Sequence, residues 1–189
     1  MNLFFDTETT GIANFKLSPA APTQPRLVQL GAILTDNTGR VVTEINVMVK
    51  PEGFAIPKEA SDIHGITTEL ASEFGFRLDT VLSIFYVLTK RAQVLVCHNF
   101  DYDNFIIKGE LERAQQIERL AEYCKLKSFC TMKASTNLCK IPGPYGFKWP
   151  KLQEAYKFFF NAEFEGAHDA MADVRACQRL FNHLQTLTK

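Results

Sequence analysis

Four carboxylates, Asp6, Glu8, Asp103 and Asp173, stand in three separate stretches of this 189-residue chain, and His168 comes shortly before the last. Clustered carboxylates repel one another unless positive charge lies between them. Hard divalent cations such as Mg²⁺ or Mn²⁺ take oxygen ligands and keep positions open for water and phosphate. Two such ions supply a nucleophilic water and stabilise the leaving 3′ oxygen of a phosphodiester. Imidazole titrates near neutral pH, so a histidine beside that centre can take the water's proton. The set reads as the makings of a two-metal phosphodiesterase.

Local context decides whether these side chains converge. Asp6 and Glu8 are two apart at the end of a strand candidate over residues 2–6, so they share one face. Thr9, Thr10 and Gly11 follow as a turn whose backbone can approach a ligand closely. Taken alone, this stretch reads equally as a solvated strand end. Asp103 comes after the apolar run Val94–Cys97 and the segment His98-Asn99-Phe100-Asp101-Tyr102. That order places it in the first turn of a helix at the C-terminal edge of a sheet, where α/β proteins carry their sites. Asp101 competes with it and fits better as the helix cap. Asp173 lies four beyond Asp169 and shares its helical face. His168, five before Asp173, belongs to the loop ahead of that helix, free to swing over the metals. His98 and Asn99 organise a strand-to-helix turn, and His64 reads as a structural or substrate-edge residue.

The elements that must hold these groups are legible in outline. Leu27–Thr35 and Val41–Val49 read as strands joined by Asp36-Asn37-Thr38-Gly39, an antiparallel hairpin. Helical stretches are expected from about Pro57, over Leu78–Lys90, and from Asp101 to Tyr123 with a break at Gly109. Val94–Cys97 and Phe129–Thr131 are short strands, residues 140–150 a Pro/Gly-rich loop, and Leu152–Phe160 and Asp169–Leu187 closing helices. Asn14–Pro25, with three prolines, is a loop long enough to be functional. Hairpin strands followed by strand–helix alternation indicate an α/β fold, a mixed sheet with helices packed on it. Residues 1–189 read as one domain.

Lys and Arg number 21, as do Asp and Glu, so charge gives no announcement of a nucleic-acid partner. Five cysteines without a CxxC pair indicate free thiols in a reducing compartment and disfavour structural zinc. The start of the chain shows no signal peptide or membrane span, so the expected location is cytoplasmic.

The spacings Asp6-x-Glu8, His98-Asn99-x-x-x-Asp103 and His168-x-x-x-x-Asp173 closely resemble the three motifs of the DEDDh 3′–5′ exonuclease superfamily. That group includes the proofreading subunit of bacterial DNA polymerase III and ribonuclease T. Ile63-His64-Gly65-Ile66-Thr67 and the stretch from Phe147 to Asp173 are similar to segments of its bacterial members. The resemblance implies a ribonuclease H-like fold with a mixed five-stranded sheet. It implies two divalent cations held by Asp6, Glu8, Asp103 and Asp173, with His168 as general base. The implied reaction releases nucleoside 5′-monophosphates from the 3′ end of DNA.

Such a reaction needs an unpaired terminus, single-stranded or frayed, entering a pocket. Thr9, Thr10, Gly11, Ile12, His64 and Asn99 are the candidates for binding it; Ile12 and Phe15 are placed to wedge or stack on the last base, and Phe15 reads equally as packing under its own loop. Lys148, Trp149 and Lys151 are candidates to touch the strand's phosphates or bases. Two rivals stay open: a DEDDh ribonuclease trimming RNA ends, and an inactive nucleic-acid-binding module. A DNA polymerase is a possible partner, although the tail Leu184–Lys189 shows no tether to one.

Overall fold

The computed structural model describes residues 1–187; Thr188 and Lys189 of the expected tail lie outside the described residues. Strands β1 (Asn2–Thr9), β2 (Leu27–Thr35), β3 (Val41–Met48), β4 (Val94–Cys97) and β5 (Lys127–Cys130) form one sheet in the order β3-β2-β1-β4-β5. β2 pairs antiparallel with β1 and β3, whereas β4 runs parallel to β1 and β5. The β2–β3 turn is set by its residue types. Asp36 Oδ1 accepts the backbone N–H of Thr38 (2.9 Å) and of Arg40 (3.1 Å), and Gly39 takes φ +88°.

Parallel neighbours need crossovers, and helices supply them. Between β3 and β4 lie α1 (Lys58–His64), α2 (Thr68–Phe74) and α3 (Leu78–Thr89); between β4 and β5 lie α4 (Phe100–Arg113) and α5 (Ile117–Tyr123). After β5 come α6 (Thr131–Cys139), a small hairpin of β6 (Pro142–Gly143) and β7 (Gly146–Phe147), α7 (Leu152–Phe160) and α8 (Ala170–Leu187).

Alternation along β1 divides the core. Leu3 and Phe5 point to one face, where Val81, Leu82, Phe85, Ile106 and Ile107 of α3 and α4 cover them. Phe4 points to the other, against Met171, Val174, Cys177 and Phe181 of α8. Every residue of β2 is buried.

Three expectations change. The helix expected over Asp101–Tyr123 is two helices, and Gly109 does not break it. Pro19's carbonyl packs where a Cβ on Gly109 would stand, so that glycine serves a close approach inside α4. The interruption falls at Ala114–Gln116, where Gln115 turns left-handed (φ +56°). α2 and α6 were not expected, and the loop over residues 140–150 contains the β6–β7 hairpin. The Asn14–Pro25 loop is packed down: Gln24, buried, donates to the carbonyl of Asn14 (2.7 Å), and Arg113 donates to that of Pro19 (2.9 Å).

Candidate active site

Asp6 and Glu8 continue the row that Phe4 begins, so the period of two turns both toward α8. Thr7 faces the opposite way and meets α4. Its N–H (2.9 Å) and its hydroxyl (2.7 Å) both donate to Oδ1 of Asp103, which is only 3% exposed. Thr7 is a positioning residue that the sequence did not reveal, because its role depends on which α4 residue lies above it.

The corner from β4 into α4 aims Asp103. Asn99 takes a left-handed conformation (φ +71°) and turns the chain into the helix. Asp101 is not the cap; it is exposed and ion-paired with Lys133 (2.6 Å). His98 is clamped, one ring nitrogen on Thr131 Oγ1 (2.9 Å) and the other on the carbonyl of Pro150 (3.0 Å). Its burial pulls its pKa down to about 4.

The third strand of the site comes from the start of α8. Asp169 Oδ1 accepts the N–H groups of Met171 (3.1 Å) and Ala172 (3.0 Å), as a capping side chain does. Gln29 of β2 holds this end down, donating to Asp169 Oδ2 (3.2 Å) and accepting from the N–H of Ala170 (3.2 Å). Gly31, opposite Asp6 in the β1–β2 ladder, makes the approach possible: a Cβ there would lie 2.7 Å from the Ala170 carbonyl carbon. His168 precedes the helix with φ +70°, and its N–H lies 3.4 Å from Asp173 Oδ2. One ligand atom each from Glu8, His168 and Asp173 lie within 4.8 Å of one another.

The electrostatics are those of a site awaiting positive charge. Burial first, then Asp103, Asp173 and Glu8, hold the Asp6 carboxyl well above the usual range. Burial, then Asp173, pushes Glu8 up to about 8. Burial lifts Asp103 to about 7 against the lowering bonds from Thr7, and Asp173 to about 6 against the N–H of His168. Among the described residues none of the four makes an ion pair with Lys or Arg, and the buried Oδ1 of Asp173 has no hydrogen-bond partner. Oxygen donors with an orphaned buried oxygen fit hard divalent cations.

Beside the carboxylates lies a cavity of about 400 Å³ lined by Glu8, Thr9, Thr10, Gly11, Ile12, Ile63, His64 and Tyr102 among others. Ile12 is 94% exposed there. The Tyr102 hydroxyl, 2.6 Å from Thr9 Oγ1, also donates to the Gly11 carbonyl (2.6 Å) and fixes the turn. Asn99 and Phe15 do not line this cavity. Phe15 stands edge-on to Phe105, with centroids 4.9 Å apart.

A mixed five-stranded sheet with acidic side chains on β1, on the helix that follows β4 and on the helix packed across the sheet defines a ribonuclease H-like architecture. Comparison with known proteins identifies the branch. Residues 3–181 match the family model RNase_T, described as exonuclease, and the chain belongs to that exonuclease family of the DEDD superfamily. It is 31% identical to an uncharacterized exonuclease, CP81, of Escherichia phage 186, over 92% of this chain and 82% of that protein. Among solved structures it is similar to E. coli Exonuclease I in complex with a dT13 oligonucleotide, with TM-score 0.78 and 20% identity over 98% of this chain. A zinc-ion-bound form of the Exonuclease I–single-stranded DNA complex matches with TM-score 0.74 and 21% identity, over 98% of this chain and 42% of that one. The chain thus spans only 41% of Exonuclease I in the dT13 complex, and that likeness speaks to the fold.

Proposed function

We propose that this protein is a single-domain, cytoplasmic, metal-dependent 3′–5′ exonuclease acting on single-stranded or frayed DNA ends. The observation that carries the reading is the convergence of Glu8, His168 and Asp173 within 4.8 Å beside a nucleotide-sized cavity of about 400 Å³. Asp6, Glu8, Asp103 and Asp173 are the residues that would hold two divalent cations. Bound there, the ions would activate water and stabilise the departing 3′ oxygen. His168 accepts the proton that the attacking water loses; its place on a loop lets it approach without disturbing α8. The Thr9–Gly11 turn, His64 and Ile63 hold the last nucleotide, and Ile12 wedges between it and the next base. The Exonuclease I structures, whose ligands are DNA oligonucleotides, support DNA over RNA as the substrate. Free thiols throughout agree with a reducing compartment, and no described helix is long and apolar enough to cross a membrane.

The test is incubation of the pure protein with 3′- and 5′-labelled single-stranded DNA and matching RNA in Mg²⁺, Mn²⁺ or EDTA, beside Asp6→Ala. Metal-dependent shortening from the 3′ end, absent in the variant and faster on DNA, is expected. Faster loss of RNA would make the protein a ribonuclease. No cleavage under any metal would overturn the enzymatic reading.

A further inference from the structure

We propose that the β6–β7 hairpin, with the basic segment that carries it, is an outer track for single-stranded DNA on the 5′ side of the bond to be cut; the placement rests on the exonuclease reading above. From residue 125 to residue 151 the chain holds Lys125, Lys127, Lys133, Lys140, Lys148 and Lys151 and no Asp or Glu, although its formal net charge is zero. Only Lys133 and Lys148 of these make ion pairs among the described residues, with Asp101 and Glu154.

The hairpin displays aromatic rings that the fold does not use. Tyr145 at its tip is 102% exposed, Phe147 50% and Trp149 62%. Pairing of Pro142 with Phe147 and of Gly143 with Gly146, extended by the Lys148 N–H to the Ile141 carbonyl (2.9 Å), keeps the segment extended. Phe147 and Trp149, two apart on the ribbon, share a face, and with Tyr145 of the turn they line one hollow of about 410 Å³, while the Lys148 ammonium is drawn to Glu154. Two residues of extended chain separate Phe147 from Trp149 by roughly 6.6 Å, about twice the ~3.4 Å that one stacked base occupies, so a base fits between them. Exposed apolar side chains lining one hollow call for a partner, and rings flanked by Lys140 and Lys151, which make no ion pair among the described residues, suit a polymer of stacked bases and phosphates.

The hairpin is tied to the corner that carries Asp103. The hairpin's exit is fixed to the β4–α4 corner by the bond between His98 and the Pro150 carbonyl (3.0 Å), and α6 is tied to the same corner by Lys133–Asp101 (2.6 Å).

Trp149 is the only tryptophan, so its emission reports on this surface alone. In EDTA, dT16 should quench it on binding while dT3, too short to leave the pocket, should not. Tyr145→Ala should weaken dT16 binding about 10-fold, the loss of one stack, and leave cleavage of dT3 in Mg²⁺ unchanged. Lys140→Gln/Lys151→Gln should lower the slope of log affinity against log salt by about 1.4. Saturable dT16 binding with Trp149 emission unmoved, or Tyr145→Ala with unchanged affinity, would overturn the track and leave the surface to another occupant. Absent dT16 binding beside intact dT3 cleavage would also overturn it while sparing the exonuclease reading. Quenching by dT16 in a protein that cleaves nothing would uphold the DNA surface and sink that reading instead.

Discussion

At the scale of single residues, His168 and His98 stand in opposite settings. His168 is loop-borne and within reach of Glu8 and Asp173. His168→Ala should cut turnover by about 10²–10⁴-fold, the usual worth of a general base, while the variant still binds single-stranded DNA. Unaltered turnover would remove His168 from the reaction. His98 is a buttress, held neutral by burial with a pKa of about 4. Its folded pKa is depressed, so its contribution to stability is fully present above about pH 6.5 and is lost as the pH falls toward 4. By pH 4.5 the loss is about 2.5 kcal/mol. The buried carboxylates, with raised pKa values, move stability the other way over the same range. The readout is therefore a difference: between pH 7 and 4.5, His98→Gln should lose less stability than the native protein in urea melts. Parallel pH profiles would show that His98 does not stay neutral in the fold.

Among the elements, the glycine under α8 and the glutamate under the β1–β2 connection fix the site's geometry from behind. Gly31→Ala places a methyl group against the backbone of Ala170, which cannot swing aside as a side chain would. Overpacking of this kind costs about 1–3 kcal/mol, and displacing the start of α8 should lower activity further than stability explains. Normal turnover in a destabilised Gly31→Ala would separate the two. Glu110 of α4, 0% exposed, accepts from Arg26 Nε (2.8 Å) and from the Leu27 N–H (3.0 Å). Its replacement by Ala strands a partly buried guanidinium and a buried amide, and a loss of about 1–3 kcal/mol in urea melts is expected. Elements with strong local signals were legible from sequence: β2 falls on the residues that its apolar run marked, and α7 likewise. α6 was not, because Thr131-Met132-Lys133-Ala134-Ser135-Thr136-Asn137 is rich in residues that do not favour helix, and its start is set by Thr131 bonding across to β4. Gly109 misled because a glycine that admits a neighbouring backbone looks in sequence like one that ends a helix.

Over the whole molecule, the five residues that the motifs singled out do gather at one end of the sheet, whereas their supports, Thr7, Gln29 and Gly31, depend on strand register and could not be read in advance. Acidic crowding without basic partners should make the protein's stability respond to cations. At 100 times its dissociation constant a bound ion adds about 2.7 kcal/mol, about 5–10 °C in Tm for a chain of this size. Melting in EDTA against Mg²⁺ should show this rise, and Asp173→Asn should reduce it. Identical Tm values in the two buffers would count against a metal centre.

The position of α8 has one more consequence. Asp6 and Glu8 belong to the first strand, yet Asp173 and His168 come with the last helix, pressed into the sheet through Gly31. A chain leaving the ribosome therefore exposes most of its sheet and one half of its acidic cluster before the other half has been made. Synthesis proceeds at about 5–20 residues per second, so for many seconds the nascent protein holds its sheet with half of the acidic cluster. On the proposed mechanism cutting requires α8, and a chain truncated before it is expected to leave labelled DNA intact.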